Sequence, residues 1–196
     1  NLLQLITTLK KYKVCSPYTL QEMTTKVYQE LLLDKVHKYG KQELLTFWQE
    51  IATANKNNAR VIETYVSCLC KVAATKEATN VVRNFLKKSW DDRLVRIYGL
   101  IAETALYKQI FIAEKWLKEH PGDPTLLLTL ARLCLRNQLW GKARDYLEMS
   151  IQLKATPEAY AELGKLLIHL GEVDKGHDCY RKGLLTITDD ILKLEQ

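Results

Sequence analysis

The sequence predicts an all-α protein, a right-handed solenoid built from antiparallel helix pairs. Three observations predict it. Only 8 glycines and 4 prolines occur among 196 residues, too few turn formers for a many-stranded β fold. Leu, Lys, Ala and Glu are abundant, and all are good helix formers. Finally, one stretch occurs twice. Leu130, Ala131, Ala143, Leu147, Ser150 and Ile151 are each matched, at one constant spacing along the chain, by Leu163, Gly164, Gly176, Tyr180, Gly183 and Leu184.

Within each copy small residues fall at offsets of 0, 12 and 19, with large apolar residues three or four positions away. A small residue on each of two antiparallel helices lets them approach closely, and the large neighbours fill the seam. One hairpin cannot bury its own apolar faces, so hairpins stack. In period and spacing the pattern resembles the tetratricopeptide repeat, helix A, turn, helix B.

In chain order, Asn1 to Lys11 reads as a short leading helix. Ser16-Pro17 opens a helix that Gly40 closes. "LLTFWQEIATANKNN" ends a helix in a polar loop at Asn55 to Asn58, and Asn58 to Trp90 forms a pair turning near Ala74-Thr75. Arg93 to Pro124 is a further pair, its second helix near Lys108 to His120 ended by Pro121-Gly122. Asp123-Pro124 and Thr156-Pro157 each set a capping side chain before a proline in the first helical turn. Gly171 follows Leu170 where the A helix of the second copy should stop. No linker rich in Gly, Ser or Pro interrupts the chain. Residues 1–196 therefore read as one continuous domain, with irregular helix pairs over 1–90 and repeat-like pairs over 91–123, 124–156 and 157–189.

The net charge of +6 is a mild basic bias that permits an acidic partner without proving one. Five cysteines, Cys15, Cys68, Cys70, Cys134 and Cys179, show no disulfide-framework spacing and favour a reducing compartment. No apolar run approaches the ~18 residues of a membrane helix. The first residue is Asn1, so the chain is expected to be a fragment with an anchoring segment upstream.

Several stretches carry a more specific likeness. They are "LVRIYGLI" at Leu94 to Ile101, "AEKWLKEHPGDPTLLLTLARLCLRNQLWGKARDYLEMSI" at Ala113 to Ile151, and "PEAYAELGKLLIHLGE" from Pro157. Together they resemble the soluble part of the proteobacterial HemY family, and "RLCLRNQLWGKARDYL" is the most specific portion. The resemblance implies two membrane helices ahead of this domain. It also implies an inner-membrane location in a Gram-negative bacterium, with the domain on the cytoplasmic side. The implied role is a non-catalytic scaffold around enzymes of late haem biosynthesis. The family brings no catalytic motif. A flavin-dependent protoporphyrinogen oxidase shares the name, but this chain lacks the strand, Gly-x-Gly-x-x-Gly and helix unit of a dinucleotide site.

The candidate partner-binding face is the concave surface lined by A helices. Arg132 and Arg136 are four apart and share a helix face, as do Lys165 and His169. Each of the second pair lies one repeat after its counterpart, so stacking should align them into a basic strip, with Leu128 alongside. Such a strip suits an acidic segment, a peptide carboxylate or the propionates of a porphyrin. The plainer alternative is solvated charge between buried stripes. Protein partners are expected first. A porphyrin- or haem-binding carrier or sensor, and a general adaptor in envelope assembly, are the alternatives.

Cys68 and Cys70, like His177 and Cys179, are two apart on a helix and point in different directions. Neither pair makes a chelating site, so no metal or cofactor is expected. The spacings do not build a Ser or Cys nucleophile with a His base and an orienting acid, so no enzyme activity is expected. Trp48, Trp90, Trp116 and Trp140 fall at core spacings rather than in a base-stacking groove, so no nucleic acid is expected. Lys10, Lys11 and Lys13, with Lys87 and Lys88, read as solvated charge, with contact to anionic lipid as the alternative.

Overall fold

A computed structural model describes residues 2–12, 15–103 and 106–194. Among these the regular structure is helical and no strand occurs. Lys13, one of the lysines near the start, lies outside the described residues. The packing groups into two compact units, residues 1–97 and 98–196.

The first unit begins with α1 (Leu2–Lys11) and α2 (Pro17–Glu50). The Ser16 hydroxyl caps α2 by accepting from the Thr19 amide at 3.1 Å. Gly40, at φ 76° and ψ −158°, breaks α2 where the sequence predicts a stop. The polar stretch after it holds one short helical turn, α3 (Thr53–Lys56), rather than a plain loop. Asn58 then caps α4 (Ala59–Lys71), which turns back into α5 (Thr75–Leu86). α4 packs on both α2 and α5, burying Leu32, Leu44, Val66, Leu69 and Val82. Trp48 is partly buried and stacks on the buried Tyr65 with ring centroids 3.8 Å apart, at the edge of the core. α6 (Asp92–Tyr98) ends the unit, its last residue, Tyr98, being the first of the second unit.

The second unit holds α7 (Leu106–Glu119), α8 (Pro124–Arg136), α9 (Trp140–Leu153), α10 (Pro157–His169) and α11 (Val173–Leu194). Each packs on the next in chain order, as stacked hairpins require. Asp123 accepts from the amides of Thr125 and Leu126 at 2.8 and 3.0 Å, and Thr156 accepts from Ala159 at 3.2 Å. The two predicted caps are therefore in place. The small residues sit at the helix crossings. Ala131 and Ala143 are fully buried. A Cβ built on Gly164 lies 2.9 Å from the Gly176 carbonyl oxygen, and one on Gly176 lies 2.5 Å from Ile168 Cγ1, so neither position accepts a side chain without movement.

One repeat departs from the rule. The A helices α8 and α10 are 13 residues long, but α6 has only 7 and stops at Tyr98. Tyr98 stands one repeat before Ala131, at the position where the other copies carry Ala or Gly. Its ring is buried, edge-on to Trp116 at 4.7 Å. A phenol takes more room than the Ala or Gly of the other copies, and residues 99–103 are not helical.

A cleft built from three successive repeats

The early end of α6 shapes the candidate site. A cavity of about 460 Å³ in the second unit is lined by the last turns of α8 and α10 and by residues 99–102. Arg132, Leu135 and Arg136 come from α8, Lys165, Leu166 and His169 from α10, and Gly99, Leu100 and Ala102 from the non-helical segment. Trp140 and Glu162 complete it. Gly99, Arg132 and Lys165 occupy the same position of successive repeats, and at Gly99 the backbone packs closely on α8, where an added Cβ would lie 3.1 Å from the Thr129 Cα.

The four basic residues named from the sequence all line this cleft, but their roles diverge. Arg132 is held internally. Its Nε donates to Glu162 at 3.1 Å, its Nη2 lies 3.6 Å from Glu158, and its side chain is only 11% exposed. Its buried Nη1 has no hydrogen-bond partner among the described residues. Arg136 is also engaged, donating from Nη1 to the Ile101 carbonyl at 2.6 Å and from Nη2 to the Gly99 carbonyl at 2.5 Å. These are carbonyls that a continued α6 would have used in its own ladder. Burial first, then the neighbouring Arg132 charge, push the Arg136 guanidinium below its ordinary pKa. No carboxylate offsets the Arg136 charge among the described residues.

Lys165 is exposed and makes no ion pair or hydrogen bond among the described residues. His169 is exposed and lies against Trp140, with ring centroids 4.7 Å apart. Arg136 and His169 occupy equivalent positions, and each reaches the A-to-B turn of the preceding repeat. Leu128 does not belong to this surface. It is 6% exposed and absent from the cleft lining, because α7, α9 and α10 all pack on α8 and bury its stretch from Leu126 to Ala131. It is a core residue.

Sequence reasoning missed Gly99, Leu100 and Glu162, and treated Trp140 as purely structural. The signal for Gly99 was available as its register with Arg132 and Lys165. Leu100, 56% exposed at the cleft mouth, carried no signal because "LVRIYGLI" reads as continuous helix. All five cysteines are free, and no metal-binding group of His, Cys, Asp or Glu occurs among the described residues. No helix among them is long and apolar enough to cross a membrane.

No protein-family model matches the chain, and no curated protein matches it. Solved structures do. A thermophilic TPR protein of Thermus thermophilus superposes with a TM-score of 0.56 at 14% identity, covering 85% of this chain and 93% of that one. MamA of Desulfovibrio magneticus RS-1, from its residue 41 to its end, gives 0.54 at 14% identity, covering 84% and 96%. The fold is that of a tetratricopeptide-repeat protein. At 14% identity the likeness establishes the fold alone.

Proposed function

We propose that this chain is a non-catalytic scaffold that holds a segment of a partner protein in the cleft of its second unit. One observation carries the proposal. Three successive repeats contribute equivalent positions to a cavity of about 460 Å³, which places an exposed leucine and a half-buried tryptophan beside an unpaired lysine. Apolar surface with a few polar groups at its edge is the composition of a recognition site. Among the described residues the lining includes His169 but no Ser, Thr or Cys that it could activate as a nucleophile.

The partner class rests on sequence. The resemblance of "RLCLRNQLWGKARDYL" to the HemY family supports enzymes of late haem biosynthesis as partners. It also supports an inner-membrane anchor upstream and a cytoplasmic position for this domain. A porphyrin carrier is the second possibility, favoured by the apolar floor, the cations and His169 in one cavity.

Two variants test the scaffold. Leu100→Arg places a charge at the cleft mouth, while Met149→Arg alters an exposed position on α9 outside the cleft. Membrane-extract proteins captured on the immobilised chain should be lost with Leu100→Arg and kept with Met149→Arg. An unchanged set of bound proteins would contradict the proposal. Titration with haem and protoporphyrin, read by absorbance and tryptophan quenching, separates the second possibility. A saturable one-to-one complex lost with Lys165→Glu would put the carrier first.

A further inference from the structure

Among the described residues, the lysines and arginines of α9 and α11 are paired. Lys142 and Arg144 meet Glu114, Glu148 and Glu172, and Lys175, Arg181 and Lys182 meet Glu172 and Asp178. α7 is different. Its Lys108, Lys115 and Lys118 are exposed, and none makes an ion pair among the described residues. The same side of the helix carries two large rings one turn apart, Tyr107 at 73% exposed and Phe111 at 58%. Lys115, one turn further on, lies over the Phe111 ring with its Nζ 4.5 Å from the centroid. The opposite side of α7 is buried through Gln109, Ile110, Ala113 and Trp116. That side fixes the helix to its unit, and the exposed rings take no part in the core. Glu114 is drawn away to α9, accepting from Lys142 at 3.1 Å and from the Tyr146 hydroxyl at 3.3 Å. Glu119 is the one exposed acid of α7 among the described residues. No residue of α7 lines the cleft, so this face is a separate surface.

Charge and polarity together select the occupant. Three unpaired lysines attract an anion. Two exposed rings gain by leaving water for an apolar layer. Lysines stand on both sides of Phe111 along the helix, so the anionic and apolar parts of the partner must lie side by side over that length. A bilayer surface is layered in this way, with phosphates above and acyl chains below. We infer that the exposed side of α7 docks on an anionic lipid bilayer. Phe111 enters at the boundary of headgroups and acyl chains, and Tyr107 keeps its hydroxyl at headgroup level. Lys108, Lys115 and Lys118 lay their stems along the rings and carry their ammonium groups to lipid phosphates. Glu119 opposes the contact. Two rings and three lysines make a reversible contact, which sets the side of the second unit that faces lipid. The inference stands apart from the scaffold proposal, since it uses no residue of the cleft.

Flotation of the whole chain with vesicles tests it, comparing equal parts of phosphatidylglycerol and phosphatidylcholine with phosphatidylcholine alone. Binding to the anionic vesicles is expected, with little to the neutral ones and a decline as salt rises. Lys115→Gln and Lys118→Gln should each weaken binding about fivefold, and Tyr107→Ser with Phe111→Ser about tenfold or more. Glu119→Gln should strengthen it. Met149→Ser on α9 and Lys175→Gln on α11, both at exposed positions, should leave it unchanged. Thermal unfolding checks that each variant folds, which its exposed site predicts. A Phe111→Trp variant adds a depth readout, its extra fluorescence being quenched by lipid brominated on the acyl chain. Absence of binding to anionic vesicles, or binding that ignores the α7 variants, would overturn the inference. Binding that needs the lysines but not the rings, without quenching at position 111, would also overturn it, leaving a general attraction of α7 for acidic macromolecules. None of these results bears on capture of proteins through Leu100.

Discussion

At the scale of single residues, the two arginines of α8 contribute to stability and Lys165 does not. Removing the Arg136 side chain takes the guanidinium donors from the Gly99 carbonyl and from the Ile101 carbonyl, which keeps the Glu103 amide and Gln109 Nε2, and loosens residues 99–101. Arg136→Ala should therefore destabilise the protein by about 1–3 kcal/mol in urea unfolding. Lys165→Ala, at an exposed site without partners among the described residues, should stay within about 0.5 kcal/mol. Equal costs for the two would mean that the guanidinium bonds do not hold the segment. Alkaline stability gives a second residue-scale prediction. Burial pushes the Cys134 thiol up to about 11, and it pushes the Tyr65 and Tyr146 phenols up to about 12. Each of these groups is favoured neutral in the folded chain. Their contribution is complete below their ordinary values of 9.0 and 10.0 and is lost as pH rises through about 11 to 12. Unfolding free energy should be flat with respect to these groups up to about pH 9 and then decline. Cys134 should resist alkylation until denaturant is added.

At the scale of elements, the helix starts were legible and several stops were not. Asp123-Pro124 and Thr156-Pro157 announce α8 and α10 because a capping oxygen and a proline at the first turn have few other uses. Gly171, at φ 84°, announces the end of α10. The same left-handed residue ends α4 and α8, but there it is Ala73 at φ 56° and Gln138 at φ 57°. The amides that follow donate alike: Ala74 to the Leu69 carbonyl, Leu139 to Cys134 and Glu172 to Leu167. One geometry thus recurs under three residue types, and only glycine advertises it. Replacing Ala73 or Gln138 by Gly should stabilise the protein by about 1 kcal/mol each, measured by thermal or urea unfolding. Loss of stability in both would show that these turns are not strained. The short α6 was hidden for a different reason. Its sequence is helix-compatible, and the tyrosine that stands where the other copies carry Ala or Gly shows only once the repeats are in register. The arginine roles were hidden because their acceptors, Glu158, Glu162 and two carbonyls near Leu100, sit on other elements, far away along the chain. Helix periodicity reports which face a residue shares and says nothing about what arrives from another element.

At the scale of the whole molecule, a helical repeat divides without a linker. Each hairpin meets chiefly its neighbours in sequence, so packing separates into residues 1–97 and 98–196 where composition shows no break. The regular register of the second unit places one position of three repeats around one cavity, and the irregular first member of the three leaves the cavity open. The central claim is that this cavity takes a protein segment. Site-specific photo-cross-linking in living cells tests it most directly, with p-benzoylphenylalanine in place of Leu100 and, as the control, in place of Met149. The account predicts a discrete adduct of higher mass from position 100 on irradiation and none of that mass from position 149. Mass spectrometry of the adduct then names the partner. No adduct from position 100, or the same adduct from both positions, would contradict the account.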